Sequence, residues 1–304
     1  MQPSGRGQAP SGAPVSAIRS LLAATDFSED ADRATRRAAL LAAALDARLE
    51  LLHVVRVPAL GDLRGHLPEL GDAEARVVGE AKRMLDATAS RLPPAVARVE
   101  VGELPDAILE AADRHDMLVL GARGGGTIRE ALLGTMANRL LLAARRPVLV
   151  VRREPDSAYR RVVVPCEYAP PARRALELAL SVAPGARITL VHAFEADFEG
   201  QLWRAAVPRE QIERLRGEAE ARTLAWLAQL RDGLEGAAAV DIAAEFGNPR
   251  GAVPAMVESQ GADLVVMGKQ GRSRAREMFL GSLTRQVLAE AKCDVLVAPS
   301  GAGA

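Results

Sequence analysis

Two short stretches of this chain share a spacing that suits phosphate chemistry. In the first, Gly121 and Gly124 are followed after nine residues by Gly134 and Thr135; in the second, Gly268 and Gly271 are followed at the same interval by Gly281 and Ser282. Glycine lets a main chain turn sharply and come close to a ligand. A helix opening at Gly-Thr or Gly-Ser presents N–H groups without intrahelical partners and the positive end of its dipole, which favours an anion; the hydroxyl adds a donor. Asp26 and Glu167 each stand at the end of an apolar run earlier in their stretch. A carboxylate there, across a crevice from the glycines, is placed to accept from a base amino group or a ribose hydroxyl. One loop of this kind is weak evidence, because glycines also end strands simply to make turns. Two copies with one spacing carry more weight.

Other residues invite chemistry and have plainer readings. His53 and His192 occupy equivalent places, but without Cys, Asp or a second His at ligand spacing they read as packed strand histidines. Cys166 stands where the first stretch has Thr25, and reads as a small buried residue rather than a redox group. Lys269, Arg272, Arg274 and Arg276 make the second loop basic. Contact with phosphates and a solvated charged loop are equally open readings for them. Trp203 and Trp226 read as packing residues, in the core or on a partner domain, rather than a platform for stacking bases.

These residues fall inside an internal duplication. Leu21–Ala43 aligns without a gap on Val162–Pro184, which sets Asp26 on Glu167; LELLHVV (Leu49–Val55) matches ITLVHAF (Ile188–Phe194). MLVLGARGGG (Met117–Gly126) matches LVVMGKQGRS (Leu264–Ser273), and RPVLVVR (Arg146–Arg152) matches CDVLVAP (Cys293–Pro299). The order is the same in both halves, so duplication accounts for the matches better than chance.

Each half alternates short β-branched runs with longer Ala/Leu/Arg/Glu stretches. The runs are apolar on both faces, as in parallel strands covered on both sides. Strands are predicted near Ile18–Ala24, Arg48–Val55, Ala97–Val101, Met117–Leu120 and Val148–Val151, with helices near Asp30–Leu45, Asp72–Arg91, Pro105–Arg114 and Thr135–Ala144. Ser28 is placed to cap the first helix, and Pro147 follows the last. In the second half, strands are predicted near Arg161–Pro165, Arg187–Ala193, Val240–Glu245, Leu264–Met267 and Asp294–Ala298, with a long helix near Pro208–Arg231. The pattern implies βαβ units and a parallel doubly wound sheet, whose ligands sit beyond the carboxyl ends of the strands.

The chain's 304 residues suit two domains rather than one. Aromatics make up only 3%, so Ala, Leu and Val must build the cores. Lys+Arg and Asp+Glu are both 39, and a net charge of zero argues against a general nucleic-acid binder. No apolar run is long enough to span a membrane, so no membrane partner is expected. Two cysteines make neither a disulfide framework nor a metal cluster and fit a reducing, cytoplasmic setting. Residues 1–17 read as a disordered leader, 18–151 and 160–299 as the two domains, and the polar segment 152–159 as the linker.

ATDFSEDADRA, LLHVV, GARGGGTIREALLGT and GKQGRSRAREMFLGSLTRQVL resemble the universal stress protein family, here as a tandem two-domain member. The resemblance covers nearly all of Ile18–Val151 and Arg160–Pro299. It implies an α/β fold of two tandem Rossmann-like domains, each a five-stranded parallel sheet, packed as a pseudo-dimer through the last strands. A homodimer of such chains is also compatible with it. Some family members bind ATP or AMP, and those resemble this chain in the glycine loop. Carried over by position, Asp26 matches the aspartate near the adenine and Val54 the strand residue whose backbone meets it. Gly121, Gly124, Gly134 and Thr135 match the ribose- and phosphate-binding loop. In the second half the matching residues are Glu167, Ala193, Gly268, Gly271, Gly281 and Ser282.

Glu167 is one methylene longer than Asp26, and Pro170 and Pro171 alter the entry to the next helix. The first site is therefore expected to select adenine better. The leading expectation is a cytoplasmic stress-response protein that binds an adenine nucleotide, ATP before AMP or ADP, with Mg²⁺ as an accompanying ion. The competing readings are an interaction module with vestigial pockets and a slow ATPase. Fast hydrolysis is not expected, because the sequence has no P-loop lysine and no clear general base or second carboxylate for Mg²⁺.

Overall fold

The computed structural model describes residues 18–56, 69–92, 94–124, 133–169, 171–195, 205, 207–269 and 280–299. The leader 1–17, Trp203, Gly271, Arg272, Arg274 and Arg276 lie outside these residues, as do Gly125 and Gly126.

The first half runs β1 (Ser20–Ala24), α1 (Glu29–Leu45), β2 (Arg48–Val55), α2 (Glu69–Ala89), β3 (Ala95–Val101), α3 (Asp106–Asp113), β4 (Met117–Gly121), α4 (Thr135–Ala143) and β5 (Val148–Val151). The second runs β6 (Arg161–Pro165), α5 (Pro171–Val182), β7 (Arg187–Phe194), α6 (Arg209–Asp232), β8 (Asp241–Phe246), α7 (Pro249–Ser259), β9 (Leu264–Gly268), α8 (Ser282–Glu290) and β10 (Asp294–Ala298). Every predicted strand and helix among the described residues is present, with ends shifted by a few residues. The helix placed near Asp72–Arg91 starts at Glu69 and stops at Ala89, where Arg91 and Leu92 bond back only three residues, to Thr88 and Ala89, and tighten the last turn.

All ten strands form one sheet in the order β3-β2-β1-β4-β5-β10-β9-β6-β7-β8. Within each half the pairing is parallel; β5 and β10 meet antiparallel, Leu149 opposite Leu296. Alternate strand residues feed two cores. Leu21, Ala23, Leu149 and Val151 face α1 and α2, in the core that also holds Ala175 of α5 and Leu227 of α6. Leu22, Ala24, Val148 and Val150 face the core of α3, α4, α7 and α8. β5 and β10 are buried throughout, because each has helices above and below and a strand on either side. Burying one such Val or Leu side chain contributes about 1.5–3 kcal/mol.

The segment between the halves is strapped down. Arg152 and Arg153 donate main-chain N–H bonds to Asp294 Oδ1 at 2.8 and 3.0 Å, and Tyr159 donates its hydroxyl to Asp294 Oδ2 at 2.7 Å. Arg37 of α1 lies 3.3 Å from the same carboxylate, stacks 4.3 Å over the Tyr159 ring and donates to the Ser157 carbonyl at 2.6 Å. Asp294 is fully buried and Arg37 nearly so. Burial, then the neighbouring Asp294 carboxylate, pushes the Tyr159 phenol well above its usual range.

Candidate functional site

The candidate site of the first half lies at the carboxyl ends of β1, β2 and β4. Four local features aim Asp26. The Thr25 hydroxyl accepts from the Phe27 N–H at 3.0 Å, and Asp26 Oδ1 accepts from the Ser28 N–H at 3.0 Å. Phe27 adopts φ 63° between them, a left-handed turn that such bonds stabilise. Ser28 caps α1 by accepting from the Ala31 N–H at 3.3 Å. The Asp26 side chain remains exposed.

His53 holds the same turn from β2. Its Nδ1 lies 2.8 Å from the Thr25 carbonyl, which makes Nδ1 the protonated nitrogen, and its ring sits 4.4 Å from that of Phe27. The histidine is a packed strand residue, as its spacing implies, and also the post that fixes the residue before Asp26. The matching places of His53 and His192 in the repeat mark the residue, but nothing in the sequence points to its bond with the Thr25 carbonyl.

The glycine loop closes on the acid. A Cβ on Gly124 would stand 2.7 Å from Asp26 Oδ2, so the carboxylate occupies space that any side chain would claim. A Cβ on Gly121 would stand 2.7 Å from the Asp30 main chain, which lets the first turn of α1 rest on the end of β4. Gly134 donates its N–H to the Ala122 carbonyl at 2.8 Å and starts α4 in extended geometry. The first intrahelical bond of α4 is Asn138 N–H to Gly134 O, at 3.0 Å. The N–H groups of 135–137 therefore precede the helix's own ladder. Val54 is buried at the end of β2, with its side chain in the α3/α4 core. The structure thus brings Asp26, Gly121, Gly124, Gly134 and Thr135 to one edge, with Val54 on the neighbouring strand.

Asp30 was not singled out by its spacing. It is buried at the start of α1, where its Oδ2 accepts from Arg123 Nε at 3.0 Å and it pairs with Arg33. These bonds tie the loop residue Arg123 to α1.

The second half repeats the plan with different fastenings. His192 Nδ1 lies 2.7 Å from the Cys166 carbonyl. The Cys166 thiol donates to the Val191 carbonyl at 3.3 Å, and burial followed by the Glu167 charge pushes its pKa far up, as fits a small buried residue. The turn is closed by the main-chain bond from Ala169 N–H to Glu167 O at 2.6 Å. Tyr168 packs 4.6 Å from His192 and 4.2 Å from Trp226, which confirms Trp226 as a packing residue. Gly281 donates to the Lys269 carbonyl at 2.9 Å, and Arg285 opens the ladder of α8 by bonding to Gly281 O at 2.9 Å. Ala193 and Gly268 sit at the ends of β7 and β9.

Lys269 departs from both readings of the basic loop. It is only 5% exposed, and its Nζ donates to the Leu142 carbonyl in the other half. It lies on the α4/α8 face of the seam, where a buried ammonium needs an acceptor and the end of α4 offers one.

Among the described residues there is no group of three or more His, Cys, Asp or Glu able to hold a metal ion. Among them, too, no helix is long and apolar enough to cross a membrane.

The family model described as "Universal stress protein family" matches residues 17–152 and again 158–299. A universal stress protein of Mycobacterium tuberculosis is 29% identical over 236 residues, covering 73% of this chain and 72% of the relative. One from Mycolicibacterium smegmatis is 25% identical over 299 residues, covering 91% and 96%. The crystal structure of a universal stress protein from Archaeoglobus fulgidus aligns with a TM-score of 0.61 at 21% identity, covering 93% of this chain and 98% of its own.

Proposed function

Taking as premise that this chain belongs to the universal stress protein family, a family of stress-response proteins, we propose that it binds an adenine nucleotide at the carboxyl edge of its first half. The observation that carries this reading is the closure of the glycine loop on Asp26, where a Cβ at Gly124 would stand 2.7 Å from the carboxylate. The carboxylate that fills this space stands with the glycine loop beside the exposed start of α4, and an acid next to a helix N-terminus suits a ligand with a base or ribose at one end and phosphate at the other.

In this reading Asp26 accepts from the nucleoside and the Val54 main chain meets the base. Gly121 and Gly124 admit the ligand's close approach, and Gly134 and Thr135 hold phosphate through main-chain N–H groups and the Thr135 hydroxyl. ATP is the leading ligand, and Mg²⁺, where it takes part, arrives on the phosphates. The second cradle, with Glu167, Ala193, Gly268, Gly271, Gly281 and Ser282, holds phosphate with weaker base selection. Binding without fast turnover, in the reducing cytoplasm that the buried free thiols Cys166 and Cys293 suit, completes the reading.

The test is calorimetric titration of the full chain with ATP, AMP and GTP, beside mass identification of any nucleotide that copurifies. ATP binding that Asp26→Ala weakens and Glu167→Ala leaves nearly unchanged is the expected result. Absence of adenine-nucleotide binding overturns the reading and favours an interaction module; steady phosphate release above background favours an ATPase.

A further inference from the structure

The antiparallel meeting of β5 and β10 sets each site beside the tail of the opposite half's cradle helix. A helix in a sheet of this kind runs against its own strands. The last turn of α8 therefore comes level with the carboxyl end of β5, and the last turn of α4 with that of β9. Both tails are bridged by a cation from the other half. Arg152, directly after β5, donates from Nη2 to the Leu288 carbonyl of α8. Lys269, directly after β9, donates from Nζ to the Leu142 carbonyl of α4. The last carbonyls of a helix have no intrahelical partner and attract positive charge.

The main chains at these two cations complete a circuit. Lys269 O accepts from Gly281 N–H, which opens α8, at 2.9 Å. In the first half Ala122 O accepts from Gly134 N–H, which opens α4, at 2.8 Å, and Ala122 N–H donates at 3.1 Å to Val151, the residue before Arg152. Starting at Gly134, the path runs through Ala122, Val151 and Arg152 to the tail of α8. It continues along α8 to Gly281, through Lys269 to the tail of α4, and back to Gly134.

We propose that this closed circuit couples the two cradles, so that a phosphate-bearing ligand seated in one raises the affinity of the other. The proposal rests on the nucleotide reading above and adds regulation to it. A ligand that orders the start of α8 also steadies the tail that holds Arg152, and with it the strand end that closes the first cradle. The second ligand then meets a cradle already ordered, which is positive coupling. By linkage the effect is equal in both directions.

The test uses the full chain and two readouts. Without nucleotide, amide exchange is followed residue by residue in Lys269→Met and Arg152→Met. Lys269→Met is expected to speed exchange at Gly134 and Asn138, and Arg152→Met at Gly281 and Arg285, by about five-fold or more, the lower end of usual coupling between sites. Lys269→Arg and Arg152→Lys keep the cation, are expected to restore protection, and serve where a methionine variant fails to fold. Exchange that changes only at the helix tails, or only in the mutated half, overturns the proposal. With ATP, the wild type is expected to fill its two cradles cooperatively and Lys269→Met to fill them independently; independent filling by the wild type also overturns it. A wild type that binds no ATP refutes the nucleotide reading, while the nucleotide-free exchange still decides whether the circuit transmits.

Discussion

The turns after β1 and β6 come from aligned residues and are held by different means. After β1, two side-chain oxygens bend the chain: Thr25 Oγ1 and Asp26 Oδ1 each accept from an N–H two residues on, at 3.0 Å. After β6, the main chain closes the turn through Ala169 N–H and Glu167 O, and Tyr168 packs on His192 and Trp226. The histidine beneath is the same in both, bonded to the carbonyl of residue 25 or 166. The scaffold has thus been kept while the means of aiming the acid has changed. In the first half the carboxylate is part of its own turn, and its direction is set by local bonds. In the second, the longer acid stands on a turn shaped around an aromatic cluster, so the two sites share a scaffold and differ in how the acid is held.

The largest expected effect asks whether the halves are separable at all. Asp294→Ala removes the acceptor of two main-chain N–H groups and of Tyr159 and leaves Arg37 buried without its carboxylate. A loss of about 3–5 kcal/mol is expected in urea unfolding. A small loss would show that the halves stand alone and that their sites can be compared as independent units.

Next, Gly121→Ala drives a Cβ into the Asp30 main chain and is expected to cost about 1–3 kcal/mol in the same assay. It displaces the first turn of α1, so ATP affinity at the first site should fall with it. A neutral outcome would break the claim that this close approach shapes the first site.

The comparison itself is tested by Asp26→Ala against Glu167→Ala. Weakening of ATP about ten-fold, or roughly 1.4 kcal/mol, is expected for the first, with little change for the second. Equal losses would erase the distinction between the turns. Below these stands His53→Phe, which keeps the ring contact with Phe27 and removes the bond to the Thr25 carbonyl; about 1 kcal/mol of stability is expected to go.

The smallest effect is a pH dependence at the opposite edge of the sheet. Burial pushes the Asp116 carboxyl up, but N–H and hydroxyl bonds from Arg19 and Ser20, with the Arg146 charge, outweigh it and leave the pKa below its ordinary value. A depressed carboxyl adds stability above its unfolded pKa and loses that contribution as pH falls through the folded one. The stability gap between wild type and Asp116→Asn should therefore be present at neutral pH and shrink below about pH 4. A gap that widens in acid would reverse the sign.

Much of the fold was legible because its signals are local. Apolar runs of strand length, longer helical stretches between them and a cap at Ser28 all follow from neighbouring residues, and the duplication checks each reading twice. The candidate loops were legible for the same reason, since strand ends and helix starts place Gly121 and Gly134 at one edge. Asp30, His53 and Lys269 were harder. Their partners lie at Arg123, at the Thr25 carbonyl and at the Leu142 carbonyl, and no spacing rule connects residues so far apart in the chain.

By itself, then, the sequence determined the two βαβ halves, their order and the edge on which each glycine loop lies, because periodicity and turn chemistry act within a few residues. Tertiary structure alone decided what those edges face. The antiparallel junction of β5 and β10 turned two like halves head to tail, brought each site to the tail of the other's helix, and set Arg152, Lys269 and Asp294 against partners from distant segments. Such contacts exist only after the sheet has closed, when buried charge must find whatever partner the packing brings.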